Sequence, residues 1–281
     1  MKRAILLAHY DRDGIIDPYV IAAAEEYRRF ADKLVLVSVS AKVLPPELYG
    51  VVDDFVFRDN VGYDFGSWRA GLEAIGMLSD FGEIICVNDS VYGPLFDLAP
   101  AITSPRHREA DFWGMTISEQ QQVHVQSWFF AVRSRVIESE TYSNFWASIG
   151  RELPKNQIIA QFEIGFSAAL RDAGYHMAAV YDGRDKRLLT ATERKKHSLW
   201  TSPLRTRRYL HKTRLRKAPF NPSDLLYERL WECGVPFLKR RVFKPNYYGL
   251  SLPLVQADIE GLSPRWAELI TNHLRRINRS N

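Results

Sequence analysis

The sequence predicts an α/β fold: a mostly parallel, Rossmann-type sheet flanked by helices, with a basic, mainly helical C-terminal extension. Three observations predict it. Short β-branched runs alternate with helical stretches through the first third of the chain, which is the pattern of β-α-β units. The composition, 46% apolar and 25% charged over 281 residues, suits one sizeable core and excludes disordered, collagenous and disulfide-framework classes. The positive charge is concentrated: Arg184 to Lys217 holds 13 Lys/Arg against 2 Asp/Glu, so this segment carries +11 and the remaining chain −6 within a total of +5. These features divide the chain into an α/β core over 1–183 and a basic segment with helical extension over 184–281.

The elements follow in order. Lys2–Ala8 is an apolar run and reads as a buried strand. It resembles a signal peptide only until His9-Tyr10-Asp11-Arg12-Asp13 interrupts it. Asp17-Pro18 opens a helix to about Phe30, with Asp as N-cap and Pro where a missing N–H is harmless. Leu34–Val39 and Val51–Phe57 are strands, Asp64 caps a helix to about Met77, and Glu83–Val87 is the fourth strand. Asp111–Thr116 and the aromatic, alternating His124–Val132 continue the sheet. Helices are expected over Val136–Ile149 and Gln157–Ala173, then a strand near His176–Val180. In the extension, Pro222–Trp231 reads as a helix. Ser263-Pro264 opens the last one, with Trp266, Leu269, Ile270, Leu274 and Ile277 on one face and Arg275 and Arg276 near its negative end.

Two cysteines, Cys86 and Cys233, are too few and too far apart for a disulfide scaffold or a zinc site, so a reducing cytosol is expected. No stretch approaches the roughly 18–20 apolar residues of a membrane span. The cationic segment is expected to meet an anionic membrane face or a pyrophosphate group, or else to be a solvated basic run. Nucleic acid is not expected, because no recognised binding pattern accompanies the charge.

In open α/β sheets, ligands bind beyond the carboxyl ends of the strands. Those ends here carry His9-Tyr10-Asp11, Asn60-Val61-Gly62-Tyr63-Asp64, and Asn88-Asp89-Ser90-Val91-Tyr92. Asp89, directly after a buried strand, is placed either to ligate a divalent cation or simply to cap a turn. The Gly62 loop permits close approach of a ligand, with Asp64 free to accept from a ribose, or it is an ordinary glycine turn before a helix. It is neither a Walker loop nor G-x-G-x-x-G. On a helical wheel Glu163 lies at the edge of the arc of Ile159, Phe162, Phe166, Ala169 and Leu170. A carboxylate so placed suits a general base, or else pairs with an arginine. His124, Gln126 and Trp128 share a strand face by period two and together could cradle a sugar.

Taken together, Asn60-x-Gly62-x-Asp64-x-Gly66-Ser67, Asn88-Asp89-Ser90-Val91-Tyr92-Gly93-Pro94, His124-x-Gln126-Ser127-Trp128-Phe129 and Phe162-Glu163-Ile164-Gly165-Phe166-Ser167 resemble the rhamnan synthesis protein F family. So do Asn221-Pro222, Trp231, Gly234-Val235-Pro236-Phe237-Leu238-Lys239, the opening Ala8-His9-Tyr10-Asp11 and Asp17-x-Tyr19-Val20, a coverage of about residues 4 to 246. The resemblance implies a GT-A-like fold and a bacterial glycosyltransferase of cell-surface polysaccharide synthesis. It places Asn88-Asp89-Ser90 where related enzymes carry Asp-x-Asp.

The expected donor is a nucleoside-diphosphate sugar, with rhamnose as the candidate sugar, and the expected acceptor is a growing glycan on a lipid pyrophosphate. His9, Tyr10, Asp11, Asn60, Gly62, Asp64, Asn88 and Ser90 would hold the donor. Asp89, Glu163 and His124 would be catalytic, with Asp89 as ligand to Mg2+ or Mn2+. Tyr92, Gln126 and Trp128 would shape the sugar or acceptor pocket. The location implied is the cytoplasmic face of an inner membrane, reached through Arg184 to Lys217. The alternative is a non-catalytic glycan or nucleotide-sugar binding module of an envelope assembly complex.

Overall fold

The computed structural model describes residues 1–149, 157, 159–184, 203–204 and 221–279. β1 (Arg3–His9) pairs in parallel with β2 (Lys33–Ser38), which pairs in parallel with β3 (Asp54–Phe57). On its other edge β1 meets β4 (Glu83–Asn88), again in parallel. After the short β5 (Val91–Tyr92) come β6 (Phe112–Ser118), β7 (His124–Val125) and β8 (Phe129–Arg133). β8 runs antiparallel between β4 and β6, so β6 points the same way as β4. β7 pairs with the end of β6, and β9 (Met177–Asp182) lies parallel along the opposite edge of β6. The strand order is β3-β2-β1-β4-β8-β6, with β7 and β9 on β6. All strands of this sheet but β7 and β8 therefore deliver their carboxyl ends to one rim.

Strict alternation seats the sheet between two cores. Ile5, Leu7, Leu34, Leu36, Ile85 and Val87 face one core, and Ala4, Leu6, Val35, Val37, Ile84 and Cys86 the other. A one-residue slip would exchange the two faces, so burial on both sides pins the register. The second core is covered by α2 (Tyr63–Ile75), by α5 (Glu140–Ser148) and by α6 (Gly165–Asp172). The first is covered by α1 (Pro18–Arg28) and by residues of the C-terminal extension. The short α3 (Ala99–Ile102) and α4 (Ser134–Ile137) complete the core region's helices among the described residues. In the extension, α7 (Pro222–Leu225), α8 (Tyr227–Glu232), β10 (Leu238–Lys239), α9 (Leu252–Leu262) and α10 (Pro264–Arg279) follow. β10 pairs antiparallel with β5, placing Leu238 opposite Tyr92 and Lys239 opposite Val91. Leu225, Val235, Phe237, Val255, Ile259, Trp266 and Ile270 thus belong to the same apolar cluster as Ile5 and Leu7 of β1.

Several expected elements are divided. The single strand His124–Val132 is β7 and β8, separated by Gln126–Trp128. Val136–Ile149 breaks where Ser139 caps α5, its hydroxyl accepting from Tyr142 N at 3.2 Å. Pro222–Trp231 breaks at Leu226. Gln157–Ala173 is a π-helical turn over Ile159–Ile164 followed by α6. The N-cap of α2 is Gly62 at φ 79°, not Asp64, which lies in the first turn with its carboxylate turned elsewhere. Of the cationic run Arg184 to Lys217, all but Arg184, Pro203 and Leu204 lie outside the described residues.

Candidate active site

The carboxyl rim gathers the polar residues because each ends or follows a buried strand. Asn88, buried at the end of β4, donates from Nδ2 to Asp64 Oδ2 at 2.8 Å. Its Oδ1 accepts from Ser90 N at 3.1 Å and from Ser90 Oγ at 2.6 Å. Asn88 is thus a rigid bridge between the β4 end and the first turn of α2. Burial pushes the Asp64 carboxyl up to about 6; the charges of Asp89 and Glu163 add to this, and Asn88 and Lys239 oppose it.

Asp89 is held from the extension. Arg240 Nη1 lies 3.3 Å from its Oδ2 and 3.2 Å from its carbonyl oxygen. The Tyr19 hydroxyl accepts from Arg240 Nη1 at 2.9 Å and donates to the Asp89 carbonyl at 3.1 Å. Burial, then Asp89, push the Tyr19 phenol up, so it stays protonated. Arg240 Nη2 also lies 3.5 Å from His273 Nε2, while His273 Nδ1 meets the Tyr92 hydroxyl at 2.7 Å. Burial, Arg240 and Arg276 lower His273 to about 3, which leaves a neutral imidazole.

Lys239, the neighbour of Arg240, reaches Ser90 Oγ with its Nζ at 2.9 Å and lies 5.4 Å from the centre of the Trp128 ring. Burial brings its ammonium down to about 8, against the raising effect of Asp224, Glu163 and Asp64. Glu163 Oε1 accepts from Ser127 N at 3.0 Å and from Ser127 Oγ at 2.9 Å. Its other oxygen takes no hydrogen bond from the described residues. The π-helical turn supplies this aim, and such turns recur at functional sites. Buried His9 shares Nδ1 with Ser38 Oγ at 3.0 Å. Burial lowers its pKa, with Asp89 and Asp11 opposing, so the ring is neutral.

Asp64, Asn88, Asp89, Ser90, Glu163 and His9 therefore share one rim. The other expected site residues have different surroundings. Tyr10 is 52% exposed, Asn60 is exposed, and Gly62 serves the helix start. The close approach in the glycine loop is between protein groups: a Cβ on Gly66 would strike the Val61 carbonyl and the Arg58 guanidinium. Asp11 is clamped by Arg276 Nη2, and the same guanidinium takes Asp13 at 2.7 Å and Asp17 at 2.9 Å.

The sugar or acceptor pocket expected of Tyr92, Gln126 and Trp128 needs correction. Tyr92 is fully buried against His273, and Gln126 lies in the core. The Gln126 amide is consumed by Thr116 Oγ1 at 2.6 Å, by Ser223 Oγ and by Asn221 Oδ1 at 3.1 Å. These two side chains join core to extension, and neither presents a surface. Trp128, 2% exposed, acts as a floor beneath Lys239. His124 is buried on β7, with Nδ1 donating to the Gln122 carbonyl at 2.8 Å.

Tyr19, Ser127 and Lys239 fall within the motifs of the sequence without acquiring a role from them, and Arg240 lies just beyond the last motif. A signal for the Lys239 and Arg240 pair is present: Lys239-Arg240-Arg241 immediately follows the apolar Val235–Leu238 run.

A divalent cation at Asp89 does not fit this donor set. The carboxylate already carries a guanidinium, Asn88 and Ser90 bond to each other, and an ammonium adjoins them. Among the described residues, no three His, Cys, Asp or Glu side chains are grouped to hold a metal.

A model of the family described as rhamnan synthesis protein F matches residues 36–281. The chain belongs to that family. Among curated proteins, it is 25% identical over 221 residues to the virulence protein VirA of Vibrio anguillarum, covering 77% of this chain and 70% of that one. It is 26% identical over 133 residues to protein y4gN of Sinorhizobium fredii, covering 46% of this chain and 35% of that one. Among solved structures, the galactosyltransferase LgtC with donor and acceptor sugar analogues matches at TM-score 0.35 and 12% identity, covering 72% of this chain and 81% of that one. A cytidylyltransferase of Leptospira borgpetersenii matches at TM-score 0.37 and 11% identity, covering 65% and 75%. This rhamnan synthesis protein F family member is thus built on a mostly parallel sheet flanked by helices.

Proposed function

We propose that the rim transfers a sugar from a nucleoside-diphosphate donor to a hydroxyl of a growing cell-surface glycan. The observation that carries this reading is the convergence of Asp64, Asp89 and Glu163 with Lys239 at the carboxyl ends of parallel strands. Asp64, steadied by Asn88, accepts from the nucleoside, and His9 lines the same end. Glu163 takes the acceptor hydroxyl proton with its Oε2 while Ser127 holds Oε1. The acceptor oxygen forms a bond to the anomeric carbon. The bond from that carbon to the diphosphate breaks, and its electron pair leaves with the phosphate.

A rhamnosyl donor, in keeping with the family's description, and a lipid-linked acceptor are the specific forms of this proposal. The cationic run Arg184 to Lys217 would grip the carrier pyrophosphate or an anionic inner-membrane surface on its cytoplasmic side. Among the described residues, no helix is long and apolar enough to cross a membrane.

A panel of nucleotide sugars, including dTDP-L-rhamnose, tests the reading by thermal shift and by donor turnover with a glycan acceptor, in EDTA and in Mn2+. One donor should raise the melting temperature and be turned over. Stabilisation without turnover returns the binding-module reading. No response to any donor overturns both.

A further inference from the structure

Resting on that donor reading, we infer that the departing diphosphate is held by the Lys239 ammonium in place of a divalent cation. Lys239 stands in the right position. The β5–β10 ladder sets it opposite Val91, and Nζ bonds to Ser90, the residue directly after Asp89. A positive charge is therefore built in beside the Asn88-Asp89-Ser90 segment, from a residue far along the chain.

Its chemistry suits the task as well. An ammonium has three donors and no acceptor. One reaches Ser90 Oγ, the Trp128 ring lies beneath, and among the described residues no carboxylate stands within ion-pairing distance of Nζ. Asp64, Glu163 and Asp224 act on it only from farther away. Donors therefore remain for phosphate oxygens. Among partly buried groups, a preorganised charge aimed at a leaving group is worth far more than in water.

Charge balance points the same way. Asp89 would repel a diphosphate if bare, but Arg240 already lies against its Oδ2 at 3.3 Å. A metal at Asp89 would have to displace that guanidinium, whereas a diphosphate on Lys239 would not. Arg240 is accordingly a positioning residue, and Lys239 is the group that touches the donor.

Calorimetric titration of the full chain with dTDP, UDP, GDP and CDP, each in EDTA and in excess Mn2+, tests this without any variant. At least one nucleoside diphosphate should bind in EDTA, and Mn2+ should leave its Kd within about twofold. Lys239→Met, once melting shows it folded, should weaken that diphosphate about tenfold or more. It should leave the corresponding nucleoside unchanged, and Lys239→Arg should restore binding. Binding only with Mn2+, or equal diphosphate affinity in folded Lys239→Met, overturns the inference and leaves the donor reading standing. If no diphosphate binds in either condition, the donor reading fails and this inference with it.

Discussion

Asp64 lies in a half-buried setting that opposes its own charge, and replacing it by asparagine should make the protein more stable. Its carboxyl is raised from 3.8 to about 6 by burial and by the charges of Asp89 and Glu163. The fold therefore favours the protonated form. Between these two values the native state holds a proton that the unfolded chain has released, so stability falls as pH rises. A gap of one pH unit between the folded and unfolded pKa is worth about 1.4 kcal/mol. The rise at Asp64 is therefore worth about 3 kcal/mol, reduced to about 2 kcal/mol because the residue is only half-buried and partly screened by solvent.

Asp64→Asn keeps the shape and the acceptor for Asn88 while removing the charge. At about pH 7.5 the variant should be more stable than wild type by about 2 kcal/mol, and at about pH 4 the two should converge. Urea denaturation across this range gives the difference directly. A variant less stable than wild type at neutral pH would refute the reasoning, as would a gap that does not close on acidification. The same variant should lose donor binding, since the strain is retained where the nucleoside is proposed to sit.

Three further outcomes follow from the geometry. Arg276→Ala leaves Asp11 and Asp17, with side chains 8% and 6% exposed, without their guanidinium. The expected loss is about 3–5 kcal/mol, seen as a fall of about 10 °C in melting temperature and faster hydrogen exchange in α10. Because hydrogen bonds from Arg276 hold Asp11 below its usual range against the effect of burial, wild type should lose this group's contribution as pH falls through that lowered value. Glu163→Gln keeps an acceptor for Ser127 and removes the base. Turnover should fall by about 10²–10⁴ with donor Kd unchanged, as read by steady-state kinetics and calorimetry, and loss of donor binding would remove the base assignment.

Much of the fold is legible because its causes are local. Apolar β-branched runs specify the first four parallel strands, and Asp17-Pro18 specifies the start of α1. Strand ends followed by His9, Asp64 and Asn88-Asp89-Ser90 point to one rim, because parallel strands deliver their carboxyl ends together. Where a wheel or a period of two is assumed to continue, the structure departs from it. Glu163 is aimed by a π-helical turn that no 3.6-residue wheel contains. Gln126 and Trp128 lie in the break between β7 and β8, and residues of the C-terminal extension pack on them.

Pattern and composition along the chain, then, determined the layered α/β class, the polar rim and the identity of its acidic residues. Only tertiary packing decided which charges meet there. Lys239 and Arg240 lie 149 and 151 residues from their partners Ser90 and Asp89, and a two-residue ladder with β5 brings them in. Local propensity carries no information about contacts at that separation. They are set by which apolar face of the extension covers the sheet, and the charges arrive with it.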